Sequence, residues 1–234
     1  MTKLFCIPYS GASAMVYSKW TKLINKEIKV IPLELAGRGR RFGDKFYRDI
    51  DQAAEDLSNT IINEAKDDDY AIFGHSMGAR VTYEVYYRLK EKGFKEPVKI
   101  FFSGSKAPQL PPDEIKRYQL PDNQFKQVVL QYGGNSEDVF KNKELCDLFI
   151  PILRADFRIY EEYKFVPGRE KIKTDVVVYY GRSDSSITYD NMTAWQEVAG
   201  SGIKLVAFDG SHFYLNEDVN GITASINKEL AGRK

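Results

Sequence analysis

The chain has 234 residues, of which 43% are hydrophobic and 29% are charged, and its formal net charge is +1. This length fits one α/β domain, and this composition is ordinary for a soluble globular protein. A net charge near zero excludes a global field that would steer the chain toward nucleic acid or a membrane, so we expect neither as a partner.

Short apolar runs alternate with helical patterns over most of the chain. The predicted strands cover 4–7, 30–33, 71–73, 98–102, 176–180 and 205–208, and the first predicted helices cover 17–24, 50–65 and the segment after residue 76. The strand-like runs are continuously apolar, which is typical of parallel strands covered on both faces. The alternation therefore predicts an α/β fold with a doubly wound, mostly parallel sheet.

Between residues 107 and 167 this alternation stops. Prolines open the stretch at Pro108, Pro111, Pro112 and Pro121. Two helical patterns follow, at 125–129 and 145–152, and we expect Pro151 to interrupt the second. An all-helical insertion between two strands is expected over the carboxyl ends of the sheet, where such folds bind ligands. We therefore predict a single domain, 1–234, with a lid over about 107–167; the alternative is a small second domain unrelated to the site.

The strand-like run 70–73 leads into Gly74-His75-Ser76-Met77-Gly78, and helical periodicity follows. G-x-S-x-G between a strand and a helix is the context of a nucleophile elbow. A serine on so sharp a turn needs neighbours without a Cβ, because backbone segments come close together there. We predict that Ser76 is a nucleophile and that the backbone N–H of Met77 faces a developing oxyanion.

A serine nucleophile needs a base, and the chain has only two histidines. His75 is adjacent to Ser76, so its side chain should project away from the hydroxyl and pack under the turn. His212 follows the last predicted strand, at the edge of the sheet where reactive groups collect. The pattern therefore predicts His212 as the base.

The order Ser, acid, His places the acid between residues 76 and 212. Asp184 follows the strand 176–180 directly and is the preferred acid. Asp190 is second, because it is better placed to begin a helix. Asp175 lies at the wrong end of that strand, and Asp209 is expected only to turn the chain.

A second oxyanion donor is expected from the loop after the first strand. The small residues of this first loop (residues 8–13) favour close backbone approach, and the N–H of Ser10 is the candidate. A different loop, the arginine loop (residues 37–41, Gly37-Arg38-Gly39-Arg40-Arg41), lacks the spacing of a P-loop. Its arginines are expected to pair with carboxylates or face solvent, with direct ligand binding as the alternative. No cysteine/histidine spacing predicts a metal site.

Cys6 and Cys146 are too few for a disulfide framework, and we expect two buried free thiols. The N-terminus has no basic region followed by a long apolar run, so no signal peptide is predicted. No stretch of about 18 apolar residues predicts a membrane span. The expected compartment is the cytoplasm.

Several short motifs together resemble those of the type II thioesterases that accompany nonribosomal peptide and polyketide synthetases, which are stand-alone α/β-hydrolases. They are Phe5-Cys6-Ile7-Pro8-Tyr9-Ser10-Gly11, Leu35-Ala36-Gly37-Arg38-Gly39-Arg40-Arg41-Phe42, the elbow with Ala79, Leu153-Arg154-Ala155-Asp156-Phe157, Gly181-Arg182-Ser183-Asp184, and Gly210-Ser211-His212-Phe213-Tyr214-Leu215. The departures from the family's pattern are Ser10, Ala12, Ala36 and Tyr214. None of them touches Ser76, Asp184 or His212.

This resemblance implies an α/β-hydrolase fold with a lid, and hydrolysis of misprimed or stalled acyl groups from the 4′-phosphopantetheine arm of acyl- or peptidyl-carrier proteins. It implies no cofactor and no metal in the protein itself, and a monomer is the default expectation. Three alternatives remain open: a general carboxylesterase or acyl-CoA thioesterase with the same triad, a releasing thioesterase that cyclises its product, and a carrier-protein-binding module without activity.

Overall fold

The predicted strands form one six-stranded sheet. The computed structural model describes residues 1–111, 114–133 and 136–231, and the side chains of 136–138 are not part of that description. Within these residues the strands are β1 (Thr2–Ile7), β2 (Ile28–Pro32), β3 (Tyr70–His75), β4 (Lys99–Ser103), β5 (Val176–Gly181) and β6 (Ile203–Phe208). Their order is β2-β1-β3-β4-β5-β6, and every neighbouring pair is parallel. The predicted doubly wound parallel sheet is confirmed.

Helices connect these strands on both faces of the sheet. They are α1 (Trp20–Leu23), α2 (Ile50–Ala65), α3 (Met77–Glu91), α4 (Asp122–Gln131), α5 (Ser136–Lys141), α6 (Lys143–Glu161), α7 (Tyr189–Thr193), α8 (Tyr214–Glu217) and α9 (Val219–Leu230). The helix predicted for 17–24 is instead a 3-10 turn, Ala14–Tyr17, followed by the single turn of α1. Each of these short turns is stabilised by a buried aromatic ring, Tyr17 in the first and Trp20 in the second. No helix in the described ranges is long and apolar enough to cross a membrane.

The side chains of β1 alternate between two cores on opposite faces of the sheet. Phe5 and Ile7 pack in a cluster with residues of α2 and α3. Leu4 and Cys6 face the other way, toward residues of α1 and α9. Both faces are therefore covered by apolar side chains, which explains why the strand sequences are apolar throughout.

The chain adds β2 on one side of β1 and β3 on the other side, so the order of strands reverses between β1 and β3. The loops that follow β1 and β3 lie next to each other at this point. In register, Ile7 pairs with Gly74 and His75 pairs with Ser103, so the carboxyl ends of β1, β3 and β4 lie side by side. The connection after β1 runs to one side of the sheet and that after β3 to the other. Such a switch point leaves a crevice outside the carboxyl ends of the strands.

The segment 107–167 contains helices α4, α5 and α6 and lies between β4 and β5. Of the predicted lid, residues 112, 113, 134 and 135, including Pro112, lie outside the described residues. Part of the insertion has its own small core, made of Phe125, Val129, Cys146, Ile150 and Leu153. Farther along α6, Ile159 belongs to the main core, as does Tyr163 just beyond the helix. The insertion is thus anchored to the sheet at its carboxyl-terminal end.

Pro151 does not interrupt the second insertion helix, contrary to the prediction from sequence. Helix α6 continues through it from Lys143 to Glu161. Pro151 lacks the N–H that would bond to the carbonyl of Asp147. Both residues are exposed, so that carbonyl lies on the solvent side of the helix, where water can satisfy it.

Candidate active site

The turn between β3 and α3 holds Ser76 in an unusual backbone conformation. Ser76 has φ 55° and ψ −118°, and positive φ is costly for a residue with a Cβ. A Cβ on Gly74 would collide with the carbonyl oxygen of Gly78, and a Cβ on Gly78 would collide with that of Ile7. Both glycines of the motif are therefore required by close backbone approach. This is the geometry of a nucleophile elbow.

Three side chains from three different strand ends form one hydrogen-bonded chain. Ser76 Oγ lies 3.0 Å from Nε2 of His212, and Nδ1 of the same ring lies 2.7 Å from Oδ2 of Asp184. His212 and Asp184 are buried, whereas Ser76 is half-buried. The structure thus brings together the three residues that the sequence predicted as nucleophile, base and acid.

A fourth residue, Ser186, fixes the second oxygen of Asp184. The backbone N–H and the hydroxyl of Ser186 both donate to Oδ1, at 2.9 and 2.6 Å. Burial raises the pKa of the Asp184 carboxyl, but hydrogen bonds from His212 and Ser186 lower it, and the net pKa is below its ordinary value. The acid is therefore ionised at neutral pH. Sequence reasoning missed Ser186, although its position two residues after Asp184 is typical of an Asx turn.

His75 lies behind the site rather than in it. Its ring is fully buried, and its centroid is 5.1 Å from that of His212. Nδ1 lies 2.8 Å from Oγ of Ser103, which shares a short hydrogen bond with the hydroxyl of Tyr214. Burial lowers the pKa of His75 well below its usual range, and the neighbouring His212 lowers it further. A neutral ring therefore packs under the turn, as the sequence predicted.

The two predicted oxyanion donors flank the same crevice. Met77 begins α3, so its N–H is one of the helix-terminal donors that the helix itself cannot satisfy. The first loop approaches this helix end closely, because a Cβ on Gly78 would stand only 2.7 Å from the carbonyl oxygen of Pro8. Ser10 follows in that loop and is half-buried. The register of β1 against β3 thus brings Ser10 and Met77 to one edge of the sheet.

The acidic residues that competed with Asp184 lie elsewhere. Asp190 is exposed in the first turn of α7, whose cap is Thr188. Asp175 lies before β5, at the opposite end of the sheet from Ser76. Asp209 is exposed and pairs with Arg182 at 3.0 Å. Only Asp184, of these four, contacts His212.

The arginine loop is tied to carboxylates. Arg38 is buried and forms a two-pronged pair with Asp156 of α6, at 2.5 and 2.6 Å. Arg41 pairs with Asp44 and Asp56 at 2.7 and 2.5 Å. Arg40 is exposed. The expectation of pairing or exposure is therefore confirmed for all three arginines.

The two cysteines do not take part in the hydrogen bonds that join Ser76, His212 and Asp184. Cys6 and Cys146 are both buried and free. Over the described ranges, no group of three or more His, Cys, Asp or Glu side chains is placed to hold a metal ion.

Comparison with known proteins places the chain in a family. Residues 2–230 match the Thioesterase domain family. The chain is 32% identical over 231 residues to the gramicidin S biosynthesis protein GrsT of Aneurinibacillus migulanus, covering 97% of this chain and 88% of that protein. Among solved structures, ClbQ of the colibactin nonribosomal peptide and polyketide pathway superposes with a TM-score of 0.93 at 32% identity, covering 99% of both chains.

The type II thioesterase BorB of the borrelidin biosynthetic cluster superposes with a TM-score of 0.88 at 28% identity, covering 98% of this chain and 92% of that one. ClbQ and BorB thus superpose on nearly the whole of this chain, with its six-stranded parallel sheet and flanking helices, which confirms the predicted α/β-hydrolase fold. The chain therefore belongs to the thioesterase family, and its predicted resemblance to the type II thioesterases of peptide and polyketide synthesis is confirmed.

Proposed function

We propose that this protein is a serine thioesterase that removes misprimed or stalled acyl groups from the 4′-phosphopantetheine arm of carrier proteins in nonribosomal peptide or polyketide synthesis. One observation carries the proposal. In a polypeptide of the thioesterase family, continuous hydrogen bonds connect Ser76, His212 and Asp184 at the switch point of the sheet. The assignment to peptide or polyketide synthesis is supported by two similar proteins: GrsT is a gramicidin S biosynthesis protein, and ClbQ belongs to the colibactin nonribosomal peptide and polyketide pathway.

The first half-reaction transfers the acyl group to the enzyme. Ser76 Oγ attacks the thioester carbonyl carbon, while Nε2 of His212 takes the hydroxyl proton. The C–S bond then breaks, and the pantetheine thiol leaves with the proton that His212 had taken. Asp184 accepts from Nδ1 of His212, which holds the tautomer that keeps Nε2 available and stabilises the imidazolium.

The second half-reaction releases the acid. His212 takes a proton from a water molecule, whose oxygen attacks the acyl carbon on Ser76. The C–O bond to Ser76 breaks, the serine regains its proton from His212, and the free carboxylic acid departs. In both steps the N–H groups of Met77 and Ser10 donate to the carbonyl oxygen as it becomes negative. Besides the thioester, the two half-reactions consume only water, and we propose no resident cofactor.

We further propose that the insertion acts as a lid that admits the pantetheine arm. The ring of Tyr132, at the end of α4, stands over His212 with the two centroids 5.4 Å apart. Two clefts border the insertion. One has a volume of about 320 Å³ and is lined by residues such as Glu161 and Phe165, and the other has a volume of about 500 Å³ and is lined by residues such as Phe46 and Leu148; Ser76 lines neither. Movement of the insertion opens the route to Ser76 that these clefts do not supply.

The proposed partner is an acyl- or peptidyl-carrier protein, which binds this protein as a monomer. A stand-alone enzyme that edits many blocked carriers needs access to each of them in turn. The flexible pantetheine arm supplies the reach between the docked carrier and Ser76, so the carrier itself stays outside the lid.

The test uses an acetyl-loaded holo carrier protein, analysed by intact mass spectrometry after incubation with catalytic amounts of enzyme. The wild-type protein should remove the acetyl group and leave the arm in place, whereas Ser76→Ala should not. Ser183→Ala, which changes an exposed hydroxyl outside this chain of contacts, is the matched control. Persistence of the acetyl group together with cleavage of p-nitrophenyl esters would refute the carrier-protein assignment and favour a general esterase.

A further inference from the structure

Asp156 is a buried carboxylate that joins three separate parts of the chain. It lies on α6, is 2% exposed, and contacts both the arginine loop and the first loop. Oδ1 accepts from Nη2 of Arg38 at 2.6 Å, and Oδ2 accepts from Nη1 of the same side chain at 2.5 Å. Oδ2 also accepts from the backbone N–H of Gly11 at 2.7 Å. These partners are 118 and 145 residues away along the chain.

The Asp156–Arg38 pair holds the first loop at the two residues that follow Ser10. The N–H of Gly11, which directly follows Ser10, donates to Asp156, and Nη1 of Arg38 lies 3.4 Å from the carbonyl oxygen of Ala12. The turn is closed by the N–H of Ala12, which donates to the carbonyl of Tyr9 at 3.1 Å. The peptide unit after Ser10 is therefore fixed by Asp156 from outside the loop, and the peptide unit before Ser10 is fixed by the turn that the pair supports.

The conformation of Gly11 makes this anchoring necessary. Gly11 has φ +79°, and the flexibility of glycine leaves such a turn poorly determined by its own sequence. A Cβ at Gly11 would lie 3.1 Å from Cγ of Leu153, one turn before Asp156 on α6. Helix α6 thus limits the loop both by contact and by a charged hydrogen bond.

We propose that Asp156 and Arg38 are positioning residues that orient the backbone N–H of Ser10 toward the oxyanion; this rests on the function proposed above. An oxyanion donor is effective only at about 2.7–3.1 Å from the oxygen as it becomes negative, so a loosely held loop weakens it. Arg38 has a second task in this arrangement. It neutralises the carboxylate of Asp156, which as a free anion beside the site would oppose the developing negative charge.

Two sequence motifs that take no part in the chemistry of Ser76, His212 and Asp184 meet in this pair. Asp156 ends the run Leu153-Arg154-Ala155-Asp156, and Arg38 is the first arginine of the arginine loop. Neither is aimed at substrate, since each is buried and occupied by the other. Both act through the first loop.

The test compares three variants with the wild type. Asp156→Asn keeps the shape but removes the charge, and the double variant R38M/D156L removes the pair without leaving an unpartnered buried charge. The matched control is Glu84→Gln, because Glu84 is as buried as Asp156 and also forms an ion pair, with Arg169 at 2.7 Å, but does not contact the first loop. Turnover of an acyl thioester and hydrogen exchange of a peptide covering residues 8–13 are measured on each.

We expect Asp156→Asn and R38M/D156L to lower kcat by roughly 10- to 100-fold with KM changed less than about twofold, since one oxyanion donor is misplaced rather than removed. Exchange over residues 8–13 should be faster in both, and Glu84→Gln should change neither quantity. A folded R38M/D156L variant with wild-type kcat, or with wild-type exchange over 8–13, would overturn the proposal. Absence of turnover by the wild type would refute the proposed function instead, and the exchange measurement, which needs no substrate, still decides whether the pair orders the loop.

Discussion

The carbonyl oxygen of Pro8 lies 2.7 Å from the point where a Cβ on Gly78 would stand, so the first loop and the start of α3 touch through backbone alone. This contact sets the separation between Ser10 and Met77, the two proposed oxyanion donors. Since the carbonyl of Pro8 and the Cα that would carry the Cβ both belong to the main chain, neither can rotate away. A methyl group at Gly78 therefore has to move the loop or the helix.

Gly78→Ala is expected to lower both activity and stability. Helix propensity alone predicts the opposite sign, because alanine favours a helix by about 1 kcal/mol over glycine. The close contact should dominate, so we expect a lower melting temperature and a kcat reduced by roughly tenfold or more through displaced donors. Gly43→Ala is the control, since a Cβ there meets no atom within 4 Å. Thermal unfolding and thioester turnover decide; a Gly78→Ala variant more stable than the wild type would contradict the account.

Asp184→Asn and Asp190→Asn separate the acid of the site from its nearest competitor. In Asp184→Asn the neutral amide cannot stabilise the imidazolium and favours the wrong tautomer of His212, so kcat should fall by about 10⁴-fold, as for the equivalent change in serine proteases. Asp190 is exposed at the start of α7, and its change should leave kcat within about twofold. Steady-state kinetics on one acyl thioester measures both. A larger loss in Asp190→Asn than in Asp184→Asn would reverse the assignment.

How far the sequence predicts this site depends on how local each feature is. The elbow is a five-residue pattern, and Asp184 and His212 each follow a strand directly, so strand order alone brings them to one edge of the sheet. The partners of Asp156 are not local, and no spacing rule connects it to Gly11 or Arg38. Pro151 shows a different limit: the sequence predicts a break, but whether a lost hydrogen bond breaks a helix depends on whether the carbonyl faces solvent.

Ser186→Ala is expected to weaken catalysis without unfolding the protein. The change removes the 2.6 Å hydrogen bond to Oδ1 of Asp184 but keeps the 2.9 Å bond from the backbone N–H. The carboxylate then has more freedom to turn away from Nδ1 of His212, and its pKa should rise because one of the bonds that lowers it is lost. We expect kcat to fall by a few-fold to about tenfold. Ser183→Ala, a neighbouring exposed serine, should match the wild type; equal kcat in both variants would show that the hydroxyl of Ser186 has no positioning role.

His75 should make the folded protein less stable as the pH falls below about 6.5. Its pKa is well below the ordinary value in the folded state, so between the two values the unfolded chain binds a proton that the folded chain does not. This stabilising contribution is therefore fully present above about pH 6.5 and is lost below it, with a slope that approaches about 1.4 kcal/mol per pH unit between the two pKa values. Urea denaturation at pH 7.0 and 5.5 measures the difference. His75→Asn, which has no titrating group there, should lose less stability over the same interval, and parallel losses in both proteins would exclude His75 as the cause.

The two parts of the insertion should differ in hydrogen exchange. Helix α4 and the first half of α6 bury four apolar residues, which with Leu153 form a small core that supplies little apolar burial to resist local opening. The second half of α6 is held by the buried pair of Asp156 with Arg38 and by Ile159 in the main core. Pro151 lies between these parts and removes one helical hydrogen bond at their junction.

Exchange should therefore be faster over residues 122–131 and 143–150 than over 153–161, and a bound acyl analogue should change the first two segments more. Peptide-resolved mass spectrometry measures all three in one experiment, with the buried helix α3 as the internal reference for slow exchange. Equally slow exchange in all three segments, with and without the analogue, would show that the insertion stays closed. In that case the route for the pantetheine arm must lie elsewhere, because Tyr132 would remain over His212.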